Sequence, residues 1–86
     1  MNPRAKKVEY ESPYKIIVTF TNGEVKIFDL KYYLNFPIYQ SLQDESFCKK
    51  VKVENGIVLW NEEIDLDPDR LYLESKKDVS LINYHS

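Results

Sequence analysis

Both glycines of this 86-residue chain directly follow asparagine, at Asn22-Gly23 in FTNGEVKIF and at Asn55-Gly56 in VENGIV. A type I′ turn requires positive φ at both central residues, which asparagine tolerates and glycine adopts freely because it lacks Cβ. Asn-Gly between apolar runs is therefore a strong local signal for a two-residue β-hairpin loop. The sequence predicts two tight hairpins, and they constrain the fold more than its other features do.

The first loop also predicts which side chains share a face of its hairpin. A two-residue loop sets Phe20 opposite Val25 and Val18 opposite Ile27, so that these apolar side chains lie on one face. Upstream, apolar and charged residues alternate over residues 7–10, which predicts an additional strand pairing with this hairpin. The first part of the chain is therefore expected to form three antiparallel strands.

The second loop allows the same test of register. The predicted pairs are Val53 with Val58, Val51 with Trp60 and, on the reverse side, Lys52 with Leu59. Its apolar pattern is less regular than that of the first hairpin. Together with the N-terminal strand, the two hairpins bring the predicted number of strands to five.

Short helices are predicted where capping residues precede apolar positions. Asp29 is expected to cap a first turn, Ser41 or Asp44 a helix near residues 42–50, and Asp67, followed by proline, a last turn. This layout predicts an α+β fold. Its antiparallel sheet would contain the two Asn-Gly hairpins and the N-terminal strand, with short helices packed to one side.

A chain of this length has room for one hydrophobic core. Residues 1–76 are predicted to form a single α+β domain, and residues 77–86 a C-terminal tail or an added strand. The 12 basic and 14 acidic residues are spread along the chain, so no strong field of one sign is expected. A single cysteine, together with the lack of a long apolar run, favours the cytoplasm over a secreted or membrane location.

No catalytic, cofactor or metal site is predicted. His85 is the only histidine and lies next to the end of the sequence, where a general base is hard to hold in place. Cys48 is the only cysteine, has no histidine near it in sequence, and falls on the apolar side of a predicted helix. The sequence therefore favours a protein that is not an enzyme.

The segment from Asp65 to Asp69, with carboxylates at alternate positions, resembles the start of a calcium-binding loop. Such a loop needs glycine at its sixth position and glutamate at its twelfth, where this chain has Arg70 and Lys76. Helix capping by Asp67 and a first-turn acid at Asp69 explain the segment without a metal.

The seven tyrosines are an excess for a chain of this length. They could form an adhesive surface, or they could be core side chains whose hydroxyl groups reach water, and composition does not separate the two. One stretch, residues 32–39, is hard to bury completely in so small a domain, and it is the predicted contact surface. The predicted protein-contact residues are Tyr32, Tyr33, Phe36, Ile38 and Tyr39.

The order and spacing of SPYKIIVTFTNGEVKIFDLKYYL, DESFCKKVKVENGIVLW and IDLDPDRLYLES resemble a family of small bacterial proteins known as domain of unknown function 2442. The resemblance covers roughly residues 3–75 and rests on structural motifs. The chain departs from the family pattern after Trp60, where it has Asn61-Glu62-Glu63 in place of the turn with proline and glycine that is expected there. The resemblance implies a partner-binding or regulatory role, with a partner encoded by an adjacent gene as in a toxin and antitoxin pair.

Three hypotheses of function follow. The first is a non-catalytic protein-interaction or regulatory module, an antitoxin-like member of a two-gene pair, that binds another protein or a second copy of itself through the aromatic stretch and a free sheet edge. The second is a small-molecule-binding protein or enzyme with a site at Trp60, Asp65 and Asp67. The third is a nucleic-acid binder, against which the acidic balance of the chain argues.

Overall fold

The computed structural model describes residues 2–77, in which three strands are followed by short helices, a hairpin, another helix and a last short strand. The strands of this part of the chain are β1 (Ala5–Glu11), β2 (Lys15–Phe20), β3 (Val25–Asp29), β4 (Lys52–Glu54), β5 (Ile57–Leu59) and β6 (Lys76–Lys77). The helices are α1 (Glu45–Cys48), α2 (Pro68–Glu74) and two 3-10 helices at Lys31–Tyr33 and Pro37–Gln43. Within residues 2–77, each helix is too short or too polar to cross a membrane.

The strands form two antiparallel sheets, one of four strands in the order β1-β2-β3-β6 and one made of β4 and β5. The predicted α+β fold is confirmed, and so is the N-terminal strand, because β1 pairs with β2. The two Asn-Gly hairpins lie in separate sheets, which differs from the expected arrangement. The loop of the β4–β5 hairpin meets the first residue of β1, where Ala5 N donates to Gly56 O at 3.3 Å. The hairpin does not add a strand to the four-stranded sheet.

The second hairpin has the predicted loop. Asn55 and Gly56 both have positive φ, 53° and 80°, as a type I′ turn requires. Val53 faces Val58 and Lys52 faces Leu59, which confirms the predicted register of β4 and β5.

The first hairpin has a longer loop than predicted. Gly23 has a φ of 90°, whereas Asn22 does not have positive φ. Gly23 N donates to Phe20 O at 2.9 Å and Phe20 N donates to Glu24 O at 2.8 Å, so three residues form the loop. This is the pattern of a type I turn followed by a left-handed glycine, and the Asn22 side chain supports it by accepting from Glu24 N at 3.0 Å.

The extra loop residue makes the predicted register of this hairpin wrong by one position. Val18 faces Lys26, and Ile27 faces Ile17, so Val18 and Ile27 lie on opposite faces of the sheet. On β2, Ile16, Val18 and Phe20 are fully buried, whereas Ile17 is only half-buried. The helices and the second hairpin pack on the buried face, because the same core contains Leu42, Cys48, Trp60 and Leu71.

The caps of helices α1 and α2 follow the sequence closely. The Asp44 carboxylate accepts from Ser46 N at 3.1 Å, and the Asp67 carboxylate accepts from Arg70 N at 3.3 Å. Asp29 accepts from Lys31 N at 2.9 Å at the start of the first 3-10 helix. The first two bonds confirm the predicted caps at Asp44 and Asp67. The predicted cap at Asp29 is wrong by one residue, because the N-cap of the first 3-10 helix is Leu30, whose side chain makes no cap hydrogen bond. Helix α1 is shorter than the predicted segment of residues 42–50, because the preceding residues form the second 3-10 helix.

The turn after Trp60 is organised by an asparagine side chain. Asn61 Oδ1 accepts from Glu63 N at 2.8 Å and from Ile64 N at 2.9 Å, and Trp60 N donates to Ile64 O at 2.9 Å. An asparagine that satisfies two backbone donors can close a turn without glycine or proline. It explains how this chain replaces the proline and glycine expected there.

The end of the chain lies mostly outside the described residues. Of the predicted tail at residues 77–86, the structure describes only Lys77, which lies in β6 opposite Lys26 of β3. The remaining part of that prediction, residues 78–86, is outside residues 2–77.

Alanine at the two glycines is expected to have unequal effects. Both substitutions place a Cβ at positive φ, which should destabilise the domain by about 1 kcal/mol at Gly23. At Gly56 the new Cβ would also lie 3.0 Å from Arg4 Cβ, whereas at Gly23 nothing lies within 4 Å. We therefore expect Gly56→Ala to destabilise by about 2 kcal/mol. Urea unfolding of both variants measures the difference, and a larger loss at Gly23 would contradict this expectation.

Candidate functional site

An open groove of about 680 Å³ lies between the outer edge of the four-stranded sheet, the segment after β3 and helix α2. We call it the aromatic groove. The residues that line it are Lys15, Ile27, Phe28, Asp29, Tyr32, Tyr33, Phe36, Arg70, Glu74, Lys76 and Lys77.

Tyr33 stands at the centre of the aromatic side of the groove. Its ring lies 5.4 Å from that of buried Phe28 and 5.8 Å from those of Phe36 and Tyr39, measured between ring centroids. The contacts with Phe36 and Tyr39 are edge-to-face, which is a favoured geometry for aromatic pairs. Tyr33 therefore joins the groove to the core, and its ring position is held from three sides.

The hydroxyl group of Tyr33 connects this wall to helix α2. It donates to the Glu74 carboxylate, which also pairs with Arg70 Nε at 3.2 Å, one helical turn before it. Burial and, after it, the hydrogen bond to the Glu74 carboxylate together raise the pKa of Tyr33 from 10.0 to about 12. Tyr33 is therefore neutral at physiological pH and acts as a hydrogen-bond donor that orients Glu74.

The opposite side of the groove is basic. Lys76 and Lys77 lie on β6, at the edge of the sheet, and both are exposed. Within residues 2–77 no carboxylate forms an ion pair with Lys15, Lys76 or Lys77. The groove thus combines an aromatic wall with lysine ammonium groups that can form ion pairs with an anionic partner.

A smaller cleft of about 140 Å³ lies next to the aromatic groove and shares four lining residues with it, Phe28, Tyr33, Phe36 and Arg70. Tyr39 and Asp67 line this cleft. The Tyr39 hydroxyl group donates to the backbone oxygen of Asp65 at 2.8 Å, and burial raises the pKa of Tyr39. The cleft is too small for a drug-sized ligand, whose sites usually measure about 300–1,000 Å³.

The structure brings together three of the five predicted contact residues. Tyr32, Tyr33 and Phe36 line the aromatic groove, and Tyr32 is 81% exposed and Phe36 50% exposed. Tyr39 lines the smaller cleft instead. Ile38 is 54% exposed but lines neither space.

The residues of the alternative ligand site do not form a common pocket in the described chain. Trp60 is only 5% exposed and its indole Nε1 donates to Cys48 O at 2.9 Å, so it belongs to the core. The Asp67 carboxylate caps α2 and Asp65 offers its backbone oxygen to Tyr39. Of the three, only Asp67 lines one of the two spaces described above.

Sequence reasoning missed the charged half of the groove. Arg70 and Glu74 are spaced four residues apart, which on a helix places them on one face and could have indicated a pair. Lys76 and Lys77 reach the groove only because β6 pairs with β3, about fifty residues earlier in the chain. No local pattern near Lys76 indicates that pairing.

Within residues 2–77 the one cysteine does not line the groove. Cys48 is fully buried, and burial raises its pKa from 9.0 to about 11, so the weakly nucleophilic thiol form predominates at neutral pH. Within residues 2–77 there is no cluster of three or more histidine, cysteine, aspartate or glutamate side chains that could hold a metal ion.

A family model described as "Protein of unknown function (DUF2442)" matches residues 5–77, which is most of the chain. The match includes both hairpins, the aromatic groove and helix α2. No curated protein and no solved structure matches this sequence.

Proposed function

Because the chain belongs to the DUF2442 family, for which no function is known, we propose from its groove that it is a non-catalytic protein-interaction module with a regulatory role. The observation that carries this proposal is the exposure of two aromatic side chains, Tyr32 and Phe36, on one wall of an open groove. Such side chains gain most from burial against a partner, since they bring large apolar area at low conformational cost.

Core packing accounts for some of the aromatic stretch but not for all of it. Tyr33 and Tyr39 are half-buried, and both have hydrogen-bond partners on other elements. Tyr32 is different, because most of its side chain is in contact with solvent. An exposed apolar residue beside other apolar groups and a polar rim is typical of an interaction site.

The proposed partner is another protein, and the product of an adjacent gene is the first to test. An antitoxin-like role in a two-gene pair would give such an interaction a regulatory purpose. The resemblance noted from the sequence supports this form of the proposal. A second copy of the chain is the other occupant that this surface would accept.

Alanine substitution of the exposed aromatic pair tests the proposal. In the double variant Tyr32→Ala, Phe36→Ala we expect the affinity for the adjacent gene product to fall at least tenfold, because interface aromatics often contribute more than about 1 kcal/mol each. Calorimetric titration measures the affinity. Tyr33→Ala is less suitable, since it would also remove core contacts.

Leu73→Ala is the matched control. Leu73 on α2 is 69% exposed but lines neither the groove nor the cleft, so its substitution should leave the affinity unchanged. Equal affinity of all the variants would reject the surface that we propose. Failure of the adjacent gene product to bind the unmodified chain would reject that partner.

A small-molecule-binding role is the second candidate, because the groove volume of about 680 Å³ falls within the usual range for ligand sites. Aromatic carboxylates match its tyrosines and lysines in chemistry. A concentration-dependent rise in thermal midpoint with such compounds, abolished by the Tyr32 and Phe36 substitutions, would favour this role over protein binding.

A further inference from the structure

We infer that the aromatic groove binds an acidic peptide segment of a partner protein, with one aromatic or large aliphatic residue of that segment against Tyr32 and Phe36. This inference rests on the proposed function and specifies the partner's chemistry. Four cationic and two acidic side chains line the groove, an excess of two positive charges, whereas the whole chain has a formal charge of -2. The groove is therefore positive on an otherwise acidic protein.

The two acidic side chains of the groove are already engaged. Glu74 pairs with Arg70 and accepts from the Tyr33 hydroxyl group. Asp29 accepts from the backbone of Lys31 and lies opposite Lys15 across the β2–β3 ladder. Neither carboxylate forms an ion pair with a β6 lysine among residues 2–77. Carboxylates of a bound segment would form the ion pairs that Lys76 and Lys77 do not form within residues 2–77.

The position of the two lysines supports a peptide in the groove. Lysine on an edge strand also deters unwanted strand pairing, so the location of Lys76 and Lys77 on β6 alone would not indicate binding. These lysines, however, line the same open space as Tyr32 and Phe36, which come from the segment after β3. A segment lying between the two walls can place an apolar anchor on the aromatic side and carboxylates on the lysine side.

Selection from a random 12-residue peptide library on the full chain tests the inference. We expect the selected peptides to be enriched in aspartate and glutamate and to contain at least one aromatic or large aliphatic residue. Enrichment of basic or uncharged peptides, or no enrichment, would overturn the inference. A single-stranded oligonucleotide that competes more strongly than the best acidic peptide would also overturn it, in favour of nucleic acid.

Charge reversal then locates the binding of the best acidic peptide. In the double variant Lys76→Glu, Lys77→Glu we expect at least tenfold weaker binding by fluorescence anisotropy, and weaker binding of the unmodified chain as salt is raised. Lys49→Glu, Lys50→Glu is the matched control, because it reverses the same charges on another exposed lysine pair. Equal losses in both variants would show a general charge effect and overturn the inference.

Two further measurements distinguish loss of folding from loss of binding, and failure of this inference from failure of the proposed function. Lys76→Ala, Lys77→Ala removes the charges without adding like charges near Glu74, and an unchanged thermal midpoint shows that it remains folded. If uncharged peptides bind and depend on Tyr32 and Phe36, the acidic partner is wrong and the interaction module stands. If the selected peptides bind independently of both the lysines and the aromatics, both proposals fail.

Discussion

Trp60→Ala is expected to lower the free energy of unfolding by about 3–5 kcal/mol. The indole ring lies in the core, and its removal leaves a cavity that the neighbouring side chains can fill only in part. The substitution also removes the hydrogen bond from Nε1 to Cys48 O. A domain of this length usually has a total free energy of unfolding of about 4–13 kcal/mol, so the expected loss is a large fraction of that total.

Urea unfolding followed by circular dichroism measures this loss. Trp60→Phe keeps an aromatic ring but loses the N–H donor, so an intermediate loss is expected. Leu73→Ala is the control for removal of an exposed apolar side chain and should change the stability by less than about 0.5 kcal/mol. Equal small losses at Trp60 and Leu73 would contradict the position of Trp60 in the core, and the alternative ligand site at this residue would regain support.

Cys48 is expected to react with iodoacetamide at least about a thousandfold more slowly in the native protein than in urea, since the open fraction of a stable domain is about one in a thousand or less. The thiol group is fully buried and its pKa is raised by burial to about 11. Reaction therefore requires opening of the structure around α1 and Trp60. Mass spectrometry of the labelled chain at pH 8 measures the rate.

A substitution and a change of pH extend this prediction. Trp60→Ala should accelerate labelling by more than a hundredfold, because each 1.4 kcal/mol changes the open population tenfold. Because the pKa of Cys48 is raised from 9.0 to about 11, the free energy of unfolding depends on pH. The contribution of the buried neutral thiol is fully present below pH 9.0 and is lost as the pH rises to about 11. Equally fast labelling of the native and unfolded chains would mean that Cys48 is accessible, and a nucleophilic role for it would have to be considered again.

Features with a local physical cause were predictable from the sequence. The type I′ turn at Asn55-Gly56 depends on the conformational range of two adjacent residues. The caps by Asp44 and Asp67 depend on a side chain and a backbone N–H two or three positions later. A run of aromatic residues was enough to indicate part of the groove, because so many large rings cannot all be buried in a small domain.

The register of the first hairpin shows where local reasoning failed. Asn-Gly is compatible with a two-residue type I′ loop and with a three-residue loop that ends in a left-handed glycine. In this protein the bond from Glu24 N to the Asn22 side chain accompanies the second form. The shift of one residue exchanges the faces, which is why Ile27 lies on the half-buried side with Ile17 and away from Val18.

By itself the sequence determined the fold class, the N-terminal strand, the second hairpin and the caps of α1 and α2, because each of these is set by residues close together in the chain. Only the tertiary structure decided that Trp60 belongs to the core and that Lys76 and Lys77 join Tyr32 at one groove. These facts depend on the pairing of β6 with β3 and on which side of the sheet the helices cover. Such long-range contacts are chosen by packing of the whole domain and leave no signal in a short window of sequence.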